Sequence, residues 1–149
     1  MTENADKQTL AEACCEQLKR GDGLIDHLGI SIEAVDAGSA EVRMRVQEWM
    51  TNGHGTCHGG MIFSLADSAF AFACNSENQP NVAASVSIDY LNAAHKGEIL
   101  TAIATRTAQR GRTGIYDIEV KNDAGTLIAL FRGKSQRISG ELIATEPSV

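Results

Sequence analysis

From Met61 to Cys74 almost every residue is apolar or small, and neither proline nor glycine interrupts the run. Such a run reads as a helix. It is apolar on every side, so it reads as a helix enclosed by a core rather than lying on one. This is the strongest constraint on the fold, because whatever else the chain forms must surround that helix. Asp67 is the only charged side chain between His58 and Glu77. A carboxylate in the middle of a buried helix costs on the order of several kcal/mol unless it is paired or used. That cost makes Asp67 the first candidate for chemistry.

The rest of the chain supplies strands. Thr9 to Lys19 has helix-forming composition, and Gly21 with Gly23 ends it. Ile30 to Val35 and Ala40 to Val46 read as strands joined at Asp36-Ala37-Gly38. In the second, Ala40, Val42, Met44 and Val46 share one face, with Glu41, Arg43 and Arg45 on the other. Glu48 to Thr51 reads as one helical turn. Four more strands span Val82–Leu91, Ile99–Arg110, Thr113–Asn122 and Leu127–Ile138. In the first of these, Val82, Ala84, Val86, Ile88 and Tyr90 are expected on one face. Arg110-Gly111-Arg112 and Asn122-Asp123-Ala124-Gly125 suit hairpins. Short connections require antiparallel neighbours. The expected fold class is α+β, an antiparallel sheet of five to six strands wrapped round one long central helix. Residues 1–149 are read as a single domain, with an N-terminal helix at about 8–20.

Composition narrows the function classes. The net charge is -6, and no Lys/Arg cluster longer than two residues occurs, which argues against nucleic acid. Asp67 interrupts the longest apolar run, so no membrane span is expected. The polar N-terminus lacks the apolar core of a signal peptide, and the four cysteines show no disulfide framework. A cytoplasmic protein is the expectation.

The segment Asn52 to Gly60, N-G-H-G-T-C-H-G-G, feeds into the helix. The first N–H groups of a helix lack internal partners and carry partial positive charge. Glycine at Gly59 and Gly60 lets an oxygen atom approach them closely. This suits polarising a carbonyl, as an oxyanion hole does. Asp67, two turns on, suits a nucleophile or general base. His58 and Asn52 can hold donors near the same carbonyl or position water. Ser64 and Ser68 are expected to bond the carbonyl four residues back. His54, Cys57 and His58 match no standard zinc spacing, so no metal is expected. Cys57 and His58 are neighbours in sequence and seldom-facing as side chains, which argues against a dyad.

The stretch N-G-H-G-T-C-H-G-G-M-I-F-S-L-A-D, followed by F-A-C-N-S, resembles the hotdog-fold thioesterases. It is most similar to the phenylacetic acid degradation thioesterase branch. The similarity continues through S-I-D-Y-L at Ser87–Leu91, G-I-Y-D-I at Gly114–Ile118 and A-L-F-R-G-K-S at Ala129–Ser135. The resemblance implies a hotdog fold, dimers pairing into a homotetramer, and hydrolysis of acyl-CoA thioesters, with phenylacetyl-CoA and its hydroxylated forms as substrates. It carries the catalytic carboxylate onto Asp67, the polarising amide onto Gly59, and active-site roles onto Asn52 and His58. Some relatives use a serine early in the strand after the helix; that position here is Ala83, with Ser85 nearby. Relatives hold coenzyme A with loops like Arg110-Gly111-Arg112-Thr113 and the loop of Asn92 and His95. No cofactor is implied, coenzyme A being part of the substrate. A hydratase or dehydratase, or a non-catalytic acyl-CoA sensor, are the alternatives on the same fold.

One geometric expectation needs no relatives. Gly59 and Asp67 are eight positions apart, which at a 1.5 Å rise is about 12 Å along one helix. A hydrogen bond and an attacking group each need roughly 3 Å from the same thioester. If both groups act on it, they come from different subunits of a homodimer.

Overall fold

The computed structural model describes residues 2–145. Six antiparallel strands form one sheet in the order β1-β2-β4-β5-β6-β3. They are β1 Ser31–Asp36, β2 Ser39–Arg45, β3 Asn81–Tyr90, β4 Ile99–Arg110, β5 Thr113–Lys121 and β6 Leu127–Arg137. Helix α1 spans Thr2–Arg20, α2 Gly23–Leu28 and the central α3 Gly59–Cys74, with a single 3-10 turn at Glu48–Met50. The element bounds agree with the sequence expectation within a residue or two except at α1, which begins seven residues earlier than Thr9. Those first turns are fully solvated and carry no apolar period. A Glu3–Lys7 pair at 2.9 Å marks the extension instead.

Helix α3 lies against β2, β4 and β5, and less closely against β3 and β6. Ile62, Leu65, Phe70 and Phe72 are fully enclosed. Burying four such side chains is worth about 6–12 kcal/mol, which exceeds the cost of carrying one carboxylate on the same helix. The helix is not covered all round, however. Gly60, Ser64, Asp67 and Ala71 form a partly exposed stripe along one side, a spacing that puts them on a single face. Ser64 Oγ donates to Gly60 O (2.8 Å) and Ser68 Oγ to Ser64 O (2.7 Å), so both hydroxyls are satisfied within the helix.

The two sheet edges differ. Helix α1 packs against β1. Strand β3 forms the other edge and is exposed along nearly its whole length. The expected single face of β3 is corrected by a bulge between Ala83 and Ser85. Val86, Ile88 and Tyr90 pair with Gly133, Phe131 and Ala129, which point into the core. The extra residue at the bulge sends Val82 to the opposite face. Val82, Val86 and Tyr90 remain 48%, 38% and 49% exposed.

At the far end of the sheet the β1–β2 turn is pinned to the end of α3. Gly38 has φ +74, and its N–H donates to Ser76 Oγ (2.8 Å). Arg106 packs over this glycine and pairs with Glu77.

Gly133 on β6 shows how tightly α3 is held. A Cβ there would lie 2.7–2.8 Å from the Phe70 ring. Phe70 cannot withdraw, because it packs on Tyr116 (5.5 Å) and Phe131 (6.0 Å). Gly133→Ala should therefore destabilise the fold by about 1–3 kcal/mol, although alanine loses less backbone entropy than glycine on folding. Thermal or denaturant unfolding reads this directly. A variant as stable as wild type would show that the ring has room to move.

Candidate active site

The loop before α3 is built from its own side chains. Asn52 Oδ1 accepts from His54 N (2.9 Å) and Thr56 N (3.2 Å), and Asn52 Nδ2 faces Thr56 Oγ1 (3.1 Å). The loop is then tied down from outside. Cys57 N donates to Ala94 O (2.8 Å) and His58 N to Met50 O (2.7 Å). His58 caps the helix, its Nδ1 accepting from Gly60 N (2.9 Å). An accepting Nδ1 places the ring proton on Nε2, so the exposed side of His58 is a donor.

The Gly59–Gly60 peptide is thereby held on both sides. Its N–H is taken by His58, and its carbonyl accepts from Tyr90 OH (2.8 Å). The Tyr90 ring lies where a side chain at Gly59 would go, 3.2 Å from a would-be Cβ. Gly59 N–H itself has no acceptor among the described residues. It opens on a cleft of about 300 Å³ whose walls include Asn52, Ile62, Tyr90, Leu91 and Asn92. In the sequence Tyr90 was legible only as a residue on one face of its strand. Its contact with Gly59 bridges residues 31 apart, and no local spacing announces it.

Asp67 sits on the uncovered stripe of α3. Its carboxylate makes no hydrogen bond and no ion pair among the described residues. Burial alone holds its pKa above the ordinary 3.8. The cysteines are poor nucleophiles by the same physics: burial pushes the Cys57 thiol up to about 11 and Cys74 to about 12. Among the described residues, no three His, Cys, Asp or Glu side chains converge as metal ligands.

The aromatic side chains of α3 do not gather at the cleft. Phe70 and Phe72 are core residues. Phe63 packs edge-on against Phe131 (5.3 Å), and Tyr90 is the ring at the cleft.

The residues expected to hold coenzyme A fall into two places. Asn92 lines the Gly59 cleft, although its Nδ2 is committed to Leu127 O (2.8 Å). His95 lies on the same loop, its N–H donating to Glu98 Oε2 (3.2 Å). Arg110, Gly111, Arg112 and Thr113 form the β4–β5 turn at the other end of the sheet. There Gly111 borders a polar cleft of about 190 Å³ with Arg106, Arg137, Tyr116 and Cys74. Within one chain these two sets do not meet.

Residues 54–129 match the Thioesterase superfamily. The chain belongs to that superfamily. It is 50% identical over 115 residues to the acyl-coenzyme A thioesterase PaaI of Escherichia coli, covering 77% of this chain and 82% of that one. It is 39% identical over 141 residues to a putative esterase of Archaeoglobus fulgidus, covering 95% and 92%. The solved structure of the E. coli PaaI protein, from the phenylacetic acid degradation operon, superposes with a TM-score of 0.89 at 44% identity, covering 91% of this chain and 98% of that one. This thioesterase is thus a hotdog α+β fold, a six-stranded antiparallel sheet packed on α3. None of its described helices is long and apolar enough to cross a membrane.

The isolated carboxylate makes a prediction about stability. A folded-state pKa raised above the unfolded value means that ionised Asp67 opposes folding. The cost is absent below pH 3.8 and fully present above the raised value. Asp67→Asn should therefore raise Tm at pH 7, with the gain shrinking as pH falls through the carboxylate range. A lower Tm at pH 7 would mean that the carboxylate makes a stabilising contact after all.

Proposed function

We propose that this thioesterase hydrolyses acyl-CoA thioesters, phenylacetyl-CoA or a ring-hydroxylated form among them, at a site shared by two copies of the chain. The observation that carries the proposal is Asp67, an unpartnered carboxylate on an otherwise buried helix. The same helix touches a ten-residue edge strand, β3, that is exposed along nearly its whole length among the described residues. Such an edge is a template for another strand. A second β3 paired antiparallel about a two-fold axis would lay its Asn81 end beside this chain's Tyr90. Gly59 of one copy, held at the Tyr90 end, would then face the stretch of the partner helix that carries Asp67. The same axis would bring the basic β4–β5 turn of one copy towards the Asn92 and His95 loop of the other. Pairing of such dimers into a tetramer belongs to the same proposal.

The chemistry follows from the groups. The thioester carbonyl oxygen accepts from Gly59 N–H, with His58 Nε2–H and Asn52 on the same side as further donors. Asp67 either attacks the carbonyl carbon or removes a proton from the attacking water. The tetrahedral oxyanion rests on Gly59 N–H and the C–S bond breaks; where Asp67 has taken the water proton, coenzyme A leaves as the thiol with that proton, and where Asp67 has attacked, it leaves as the thiolate. If Asp67 itself attacks, water then hydrolyses the mixed anhydride. The scheme needs no cofactor. A hydratase would require a histidine base in the cleft, and the Nδ1 lone pair of His58 is already taken by Gly60 N–H. That observation favours hydrolysis. The assignment of an aromatic acyl group rests on the similarity to the E. coli enzyme of phenylacetic acid degradation.

Thiol release from a panel of acyl-CoAs tests the proposal. Phenylacetyl thioesters should exceed straight-chain thioesters of similar size in kcat/KM. Asp67→Asn should lower kcat about a hundredfold or more with little change in KM. In wild type, kcat/KM should rise with pH through an apparent pKa above 3.8. Enoyl hydration without thiol release, or near-normal kcat in Asp67→Asn, would overturn the scheme.

A further inference from the structure

Two rings occupy the two places where the glycine pair has no side chain. A Cβ at Gly59 would lie 3.2 Å from the Tyr90 hydroxyl oxygen, and one at Gly60 would lie 3.0 Å from His58 Nδ1. The peptide between the glycines joins the rings. Its carbonyl, on Gly59, accepts from Tyr90 OH (2.8 Å), and its N–H, on Gly60, donates to His58 Nδ1 (2.9 Å). Tyr90, the Gly59–Gly60 peptide and His58 therefore form an unbroken chain of hydrogen bonds. It starts on the last residue of the edge strand β3 and ends on the cap of α3.

The two peptides at this corner are held by different groups. Gly59 N–H belongs to the preceding peptide, whose oxygen is His58 O. That oxygen accepts from Met61 N (2.9 Å) and Ile62 N (3.3 Å), so the first turn of the helix fixes the direction of Gly59 N–H. The Gly59–Gly60 peptide has a glycine on either side, the least restricted backbone of any residue pair. Its carbonyl is gripped from another element, 31 residues away.

Tyr90 is mounted to supply that grip. Its backbone pairs with the buried Ala129 on β6, and Leu91 N donates to Ile128 O (2.8 Å). Burial raises the Tyr90 hydroxyl above its ordinary 10, so it is a donor at neutral pH. A peptide carbonyl that accepts a hydrogen bond draws charge from its own nitrogen, and the N–H opposite becomes a stronger donor. Here that donor is Gly60 N–H, aimed at His58 Nδ1. A ring nitrogen that accepts cannot carry the proton, which leaves it on Nε2.

We infer that Tyr90 is a positioning residue for thioester hydrolysis, acting through the Gly59–Gly60 peptide to keep His58 as an Nε2–H donor. The inference rests on the acyl-CoA reading above, in which Nε2–H is a further donor to the thioester carbonyl. Tyr90 acts without touching the reacting atoms. Once the hydroxyl is gone, Gly60 N–H holds Nδ1 less firmly and the ring proton divides between the two nitrogens. A His58 protonated on Nδ1 turns the Nε2 lone pair towards the carbonyl oxygen. That form loses a donor and gains a repulsion where negative charge develops.

Tyr90→Phe tests this, because it keeps the ring against Gly59 and removes only the hydroxyl. In 15N spectra of histidine-labelled protein, taken above the ordinary histidine range, wild-type His58 should show Nδ1 as a pure acceptor. The His58 signal is identified by its loss in His58→Ala. In Tyr90→Phe it should move towards the averaged value of a free imidazole. For an acyl-CoA thioester, kcat should fall about fivefold, the weight of one hydrogen bond, with little change in KM. In the His58→Ala background, Tyr90→Phe should cost nothing further, because the group it acts through is gone. An unmoved Nδ1 signal overturns the inference. So does an undiminished loss from Tyr90→Phe in the His58→Ala background, since the hydroxyl would then act by another route. A Tyr90→Phe variant that lowers Tm but keeps wild-type kcat would make the hydroxyl a packing group only. Failure of the thioesterase reading shows itself separately, as wild-type protein that releases no thiol from any acyl-CoA while the Nδ1 signal still responds to Tyr90→Phe.

Discussion

The structure depends on one helix that is covered on every side but one. Ile62, Leu65, Phe70 and Phe72 bind α3 to the sheet. Their burial is worth about 6–12 kcal/mol, enough to hold the helix while Asp67 goes unpartnered. The uncovered side is where that carboxylate sits, and the edge strand β3 is exposed as well. The helix packs more extensively on β2, β4 and β5 than on β3 and β6. A surface of this kind, half apolar and carrying a desolvated carboxylate, is complete only when something else closes it.

The start of the helix shows the opposite economy. Nothing around Gly59 is left loose. Asn52 folds the loop, Met50 and Ala94 accept its backbone N–H groups, and His58 and Tyr90 grip the two sides of the Gly59–Gly60 peptide. Among the described residues, Gly59 N–H, at the start of the helix, is left without an acceptor. Preorganisation of this kind is what an oxyanion site requires, because a donor fixed by the fold need not reorganise when charge develops. The two halves of the proposed site are thus a rigid donor and a half-buried, unpartnered carboxylate, about 12 Å apart on one helix.

Much of this was legible in the sequence because the signals were local. The alternation Ala40, Val42, Met44, Val46 predicts β2 and its buried face. The apolar run with its lone aspartate predicts α3, and the serine back-bonds follow from residue type. What was not legible depends on distant parts of the chain. A one-residue bulge at Ala83–Ser85 reverses the face of Val82 without changing the strand's composition. Phe70 and Phe72 share the helix with Asp67 but point into the core, a direction set by the strands around them. The Tyr90–Gly59 contact joins the end of an edge strand to the start of a helix. Arg110 and Asn92, alike as loop residues in the sequence, turn out to lie at opposite ends of the sheet.

The central claim is that Gly59 and Asp67 act on one thioester from two different chains. Subunit exchange between two inactive variants tests it most directly. Asn52→Ala loosens the loop that presents Gly59, and Asp67→Asn removes the carboxylate. Mixed dimers, confirmed by mass, would carry both defects in one site and neither in the other. The account predicts that mixing restores thiol release to at most about half of wild type per mixed dimer. Confirmed exchange with no return of activity would contradict it, and would place both groups in the same chain's site or one of them outside the chemistry.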